Sequence, residues 1–261
     1  MDLAFLLGIL LAFGSVGASV VLDRATFGGL LLPAPIILVF GATVFVGLAG
    51  GTVSDAISAF SAIPKALKGK KPDFQGTVDK LVELADIVRH SSLIKLEEQA
   101  ETIPDPFFKT ALLGAADGTD SEELRGQLEE EIHTQSRGAK AAAKFFQTLG
   151  GYAPTIGIVG TVVSLTHVLE NLSSPSKLGP MIASAFVATL WGLLSANFIW
   201  LPIAARMRRL NELEHERMNL IVEGVLHIQA GLSARALGER LRPLVPAGKA
   251  KKGKGKSGAD E

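Results

Sequence analysis

Residues 152–165 read YAPTIGIVGTVVSL. Nothing in the stretch is charged, so it can sit in hydrocarbon, yet it carries a proline, two glycines and hydroxyl side chains where leucine would be more lipophilic. It lies inside a longer uncharged run, Phe145 to Leu169 with His167 neutral, and three more such runs follow the same rule: Leu3 to Leu22, Ala25 to Ser54 and Leu178 to Ala205. Each reaches the roughly 20 residues that a helix needs to cross a bilayer. Lipid offers backbone amides no partner, so runs of this kind close their hydrogen bonds internally as helices. The expected fold is an all-α membrane protein with four transmembrane helices.

The rest of the 261-residue chain fits that frame. Hydrophobic residues make up 48% of it, and 26 basic residues balance 26 acidic ones, so no basic surplus suggests a nucleic-acid partner. There is no cysteine, which excludes a disulfide framework and thiolate chemistry. The first run is preceded by Asp2 rather than by a basic segment, so it is expected to remain as a span and not to act as a cleaved signal peptide. Basic residues are sparse between spans one and two and between spans three and four. They gather just after span two (Lys65, Lys68, Lys70, Lys71), just before span three (Lys140, Lys144) and just after span four (Arg206, Arg208, Arg209). Basic flanks mark the cytoplasmic side, so both termini and the long middle segment are expected inside a plasma (cell inner) membrane.

Five segments follow. Residues 1–54 hold spans one and two. Residues 55–144 form a cytoplasmic helical domain, in which residues 77–101 (TVDKLVELADIVRHSSLIKLEEQAE) have apolar side chains at helical spacing and residues 119–137 begin with an acidic first turn. Residues 145–205 hold spans three and four. Residues 206–246 continue as an amphipathic cytoplasmic helix. Residues 247–261, lysine- and glycine-rich, are expected to be disordered.

Span three places Gly157, Gly160, Thr161 and Ser164 at steps of three and four, and span four does the same with Ala185, Ala188, Thr189, Gly192 and Ala196. Such stripes let membrane helices approach closely. The plain reading is helix packing, and the functional one is a surface along which an ion moves past hydroxyls such as those of Thr155, Thr161 and Thr189. Pro154 and Pro202, near the cytoplasmic ends of these spans, read either as terminus markers or as soft joints. No Asp, Glu, Lys or Arg lies in the interior of any span, although ion relays normally use buried ionisable groups. A titrating acid, if one is used, has to come from another chain. In the middle segment Arg89 and Glu97, eight residues apart, lie near one face of the expected helix, either as solvated charges or as a docking surface.

At this point the chain resembles the MotA/TolQ/ExbB proton-channel family, and within it the MotA branch of flagellar stator subunits. The resemblance covers nearly the whole chain to about residue 240, on APTIGIVGTVVSL, FVATLWGLLSANFIWLPIA and VRHSSLIKLEE. Four spans with a long second connection favour MotA over the three-span TolQ and ExbB proteins. The resemblance implies a homo-oligomeric ring, a pentamer around a dimer of MotB helices, with MotB supplying the aspartate that this chain lacks. It implies that Arg89 and Glu97 engage the rotor protein FliG, that Pro154 and Pro202 couple conduction to motion, and that Thr161 and Thr189 line the channel. Threonine at position 161 leans towards sodium, since proton-driven relatives often carry alanine there. No cofactor is implied beyond the transported H+ or Na+, nor any partner beyond MotB, FliG and membrane lipids. An ExbB/TolQ-like energiser, a small-solute transporter and a non-conducting scaffold are the alternatives.

Overall fold

The computed structural model describes residues 3–24 and 26–246, so the expectation for the basic tail 247–261 lies outside the described residues. The described elements are helices: α1 (Leu3–Leu22), α2 (Phe27–Leu30), α3 (Pro33–Ala49), α4 (Val53–Lys68), α5 (Phe74–His90), α6 (Lys95–Thr102), α7 (Pro106–Ala116), α8 (Ser121–Glu170), α9 (Pro175–Leu194), a π-helical turn at Ser195–Trp200, α10 (Leu201–Gln229) and α11 (Ala234–Leu241). Four are long and apolar enough to cross a membrane, within Ala4–Leu22, Phe27–Ala49, Ser121–Glu170 and Pro175–Gln229. The protein is therefore an all-helical, multi-pass membrane protein.

Two compact units divide the chain, one from Met1–Lys71 with His133–Glu214, the other from Pro72–Ile132 with His215–Glu261. In the first, aromatic side chains key the helices together. Phe60 meets the Phe146 ring edge to face at 5.4 Å, and Phe146 stacks on Trp200 at 6.2 Å. Trp191 donates its indole N–H to the Leu30 carbonyl at 2.7 Å, which satisfies an otherwise bare carbonyl at the end of α2. Gly47 of α3 lies where a Cβ would run into Leu149, so α3 and α8 approach closely there. Helix α4 starts with a capping box: the Asp55 amide donates to Thr52 Oγ1 at 3.1 Å and the Thr52 amide to Asp55 Oδ2 at 3.2 Å. At its end the Arg206 guanidinium donates to the Gly69 carbonyl at 2.9 Å.

The second unit has a leucine-rich core in which Leu81, Leu84, Leu96, Leu112, Leu237 and Leu241 are fully buried. Gly224 of α10 admits Leu81, whose Cδ1 stands 2.5 Å from where a Cβ would be. Asp105 caps α7 through the amides of Phe107 (3.0 Å) and Phe108 (3.3 Å) and also pairs with Arg217, so one carboxylate starts α7 and holds α10 against it.

Three expectations change. The helix anticipated over 77–101 is two helices, since Ser91 leaves the helical region (φ −130°, ψ −106°) and its amide turns back to the Val88 carbonyl. Serine hydroxyls compete with helical hydrogen bonds, and the break lets Leu84 and Leu96 both be fully buried in one core. The continuation over 206–246 also divides: α10 ends at Gln229, Gly231 takes a left-handed φ of +78°, and Ser233 caps α11 through the Ala236 amide. Finally, the acidic helix near 119–137 and span three are one 50-residue helix, α8.

Candidate functional site

The third and fourth spans meet along the two stripes of small residues. A Cβ on Gly157 would stand 2.9 Å from the Ala188 carbonyl oxygen and 3.1 Å from Gly192 Cα, and one on Gly192 would stand 2.8 Å from the Ala153 carbonyl oxygen. The two backbones therefore touch, and any larger side chain at either position would force them apart. Gly160 continues the seam against Ala188 and Leu38, while Ala185, Ala188 and Ala196 are buried along it.

About one turn along the helices from this contact the hydroxyls of Thr161 and Thr189 lie 2.5 Å apart. Thr161 Oγ1 also reaches the carbonyls of Gly157 at 3.1 Å and Ala185 at 3.0 Å. A hydroxyl has one proton to give and can accept from two donors. Donors and acceptors balance when Thr189 donates to Thr161 and Thr161 donates to a carbonyl. Two hydroxyl oxygens and two carbonyl oxygens thus converge inside a membrane-spanning segment, a hard-oxygen set of the kind that replaces an ion's hydration. Ser164 is half-buried and lines, with Leu38, Gly160, His167 and Ser184, a cavity of about 350 Å³ that adjoins the seam. Thr155 does not join the pair: it is exposed, and its hydroxyl donates to the Tyr152 carbonyl at 2.8 Å.

The prolines sit inside continuous helix and not at helix ends, which corrects the terminus-marker reading. Pro154 lies within α8. Pro202 is the second residue of α10, immediately after the π-helical turn. Having no N–H, it leaves the Phe198 carbonyl without its α-helical donor, and the preceding turn widens so that the Leu201 amide reaches back five residues to Ala196. Hydropathy carries no trace of this widening. The one sequence signal was the proline itself, embedded in a helical pattern that continues past it.

Arg89 and Glu97 are both exposed, Arg89 near the end of α5 and Glu97 in the first turn of α6, so they belong to two helices and not to one face of a single helix. Neither forms an ion pair among the described residues, whereas Lys95 and Glu98 beside them do, at 2.8 Å. A different charged cluster escaped the sequence reading. Arg125 donates to Glu223 at 2.6 Å, and this hydrogen bond chiefly holds the Glu223 carboxyl below the usual carboxylate range. His227, one turn on, is pushed below the usual imidazole value, first by burial and then by Arg240.

Fold and site together define a multi-pass helical membrane subunit whose third and fourth spans present an uncharged, oxygen-lined seam. The profile of the MotA/TolQ/ExbB proton channel family matches residues 99–220. Motility protein A of Bacillus subtilis is 31% identical over 257 residues, covering 95% of this chain and 92% of its own length. Among solved structures, the MotAB stator complex of B. subtilis aligns with a TM-score of 0.86 at 29% identity, covering 93% of this chain and 96% of its own. The C. jejuni MotAB structure aligns at 0.90 and 24% identity, over 94% of this chain and 96% of its own, a likeness of fold. The chain belongs to the MotA/TolQ/ExbB proton channel family. It is a channel-family membrane subunit and not an enzyme.

Proposed function

We propose that this protein is a flagellar motor stator subunit in the cell inner membrane, converting ion flow into rotation together with a MotB-type partner. The observation that carries the reading is the pairing of Thr161 with Thr189 in spans whose interiors hold no Asp, Glu, Lys or Arg. Oxygen atoms are in place to guide a cation, and the acid that would take it up is supplied by a second protein. A likeness to MotAB complexes over nearly the whole chain supports a MotB-type chain as that protein.

In this reading five copies surround two partner helices, and the termini, residues 55–144 and residues 206–246 face the cytoplasm, consistent with the basic flanks. Sodium is favoured over protons as the coupling ion because Thr161 adds an oxygen that alanine would lack. Arg89 and Glu97, exposed and without ion pairs among the described residues, offer charges of both signs to the rotor protein FliG. Pro154 and Pro202 are the places where the helices yield as the ring turns.

Coexpression with a MotB-type partner tests the core of this. Cation flux into vesicles is expected only when the partner's intramembrane aspartate is present. Flux through this subunit alone would overturn the proposal.

A further inference from the structure

The chain has a single tyrosine, Tyr152, and it is 43% exposed on span three. Its hydroxyl makes no hydrogen bond among the described residues. On span four, Asn197 is also exposed, in the π-helical turn; its Nδ2 donates to the Leu193 carbonyl at 2.9 Å, which leaves its side-chain carbonyl without a donor. Both residues lie well inside uncharged runs. Tyr152 is eight residues beyond Lys144 and Asn197 nine before Arg206, about 12 to 14 Å of helix in each case.

The two side chains stand at one level in the membrane. Gly192 packs on the Ala153 carbonyl and Gly150 on Leu201, so residues 150–153 of span three run alongside residues 192–201 of span four. At that shared level one chain exposes a hydroxyl donor on span three and an amide acceptor on span four. Lipid tails can satisfy neither, and burying an unpaired amide oxygen in hydrocarbon is costly.

Resting on the ring proposed above, we infer that Tyr152 of one copy donates its hydroxyl to the side-chain carbonyl of Asn197 in the next copy, forming a polar latch between neighbouring subunits. A head-to-tail ring sets one surface of each copy against a different surface of its neighbour, which is the relation these residues need. Two central partner helices could not satisfy the same pair of groups in five copies at once. The latch also places a hydrogen bond beside the widened turn before Pro202, where span four deviates from α-helical geometry.

Because the chain contains no cysteine, Y152C and N197C can be introduced cleanly. The two variants are coexpressed with the MotB-type partner, and the complex is purified in nanodiscs and treated with a short bis-maleimide. Linked dimers are expected when both variants are present and not with either alone. In parallel, Y152F, N197A and the double variant are assayed for subunit exchange, which is expected to rise roughly fivefold in each, with the double no faster than the singles. Linkage of N197C to the partner helix, or an intact ring without linkage, overturns the latch and leaves the ring reading standing. A complex with a single copy of this chain overturns the ring itself. If the cysteine variants fail to assemble, unchanged exchange in Y152F decides against the latch.

Discussion

Thr161 and Thr189, 28 residues apart in sequence and on either side of the connection between α8 and α9, bring their hydroxyl oxygens within 2.5 Å. Thr189 gives its proton to Thr161, and Thr161 gives its own to a carbonyl, so replacing Thr161 leaves the Thr189 hydroxyl to find a new acceptor. Thr161→Ala is expected to cost about 1 kcal/mol of stability, the usual net worth of a hydrogen bond. It is also expected to weaken the dependence of swimming speed on sodium. Speed measured against sodium concentration checks this, and an unchanged response would assign the hydroxyl to packing alone.

The backbone contact at Gly157 and Gly192 makes a sharper prediction. Adding one methyl at Gly157 drives it to within 2.9 Å of the Ala188 carbonyl oxygen, which forces the two spans to separate. Gly157→Ala is expected to destabilise the protein by about 1–3 kcal/mol, the range for overpacking a tight contact. Gly138→Ala is the control: nothing lies within 4 Å of its added Cβ, and alanine favours the helix. Thermal melts of the two purified variants should move in opposite directions.

Arg89 and Glu97 sit on separate helices, so reversing one charge leaves the other helix undisturbed. Arg89→Glu and Glu97→Lys are each expected to reduce motility severely while stability changes by less than about 0.5 kcal/mol, as for exposed charges generally. Swimming assays beside ion-flux measurements separate the effects. Normal swimming, or a loss of flux, would remove these residues from rotor docking.

Two groups in the second unit set its response to acid. His227 has its folded pKa depressed below 6.5, so the unfolded chain takes up a proton first as pH falls through that value, and stability declines from there down to the folded pKa. Glu223, also depressed, contributes stability above about 4.5 that is lost as pH falls through its folded value. The melting temperature of the full chain is therefore expected to fall in two stages below about pH 6.5. His227→Gln should remove the upper stage, and an unaltered profile would show that the imidazole titrates freely.

How much of this was readable from the chain differs by residue. The four spans follow from solvent physics, because an uncharged run such as Leu178–Ala205 has nowhere else to go. The close approach of spans three and four was visible in the spacing of Gly157, Gly160, Ala188 and Gly192, since small side chains at steps of three and four fall on one face. The gap between α5 and α6 was not, because Ser91 and Ser92 are mild helix formers whose effect depends on Leu84 and Leu96 sharing a core. The Arg125–Glu223–His227 cluster joins residues about a hundred positions apart, and local periodicity says nothing about such pairs. Pro202 announced a disturbance without saying that the helix would widen and not stop. The sequence placed Thr155 beside Thr161 and Thr189 by chemistry alone, and the helical angle turns it elsewhere.

The widened turn at Ser195–Trp200 accommodates one residue more than an α-helix of the same rise would hold. Shortening the chain by one residue there would remove the extra residue of the turn while leaving the angular phase of α9 and α10 nearly intact. The same deletion elsewhere in the span would swing every downstream side chain by about 100°. Loss of a codon within this segment is thus the one length change in span four that evolution could explore without scrambling its faces.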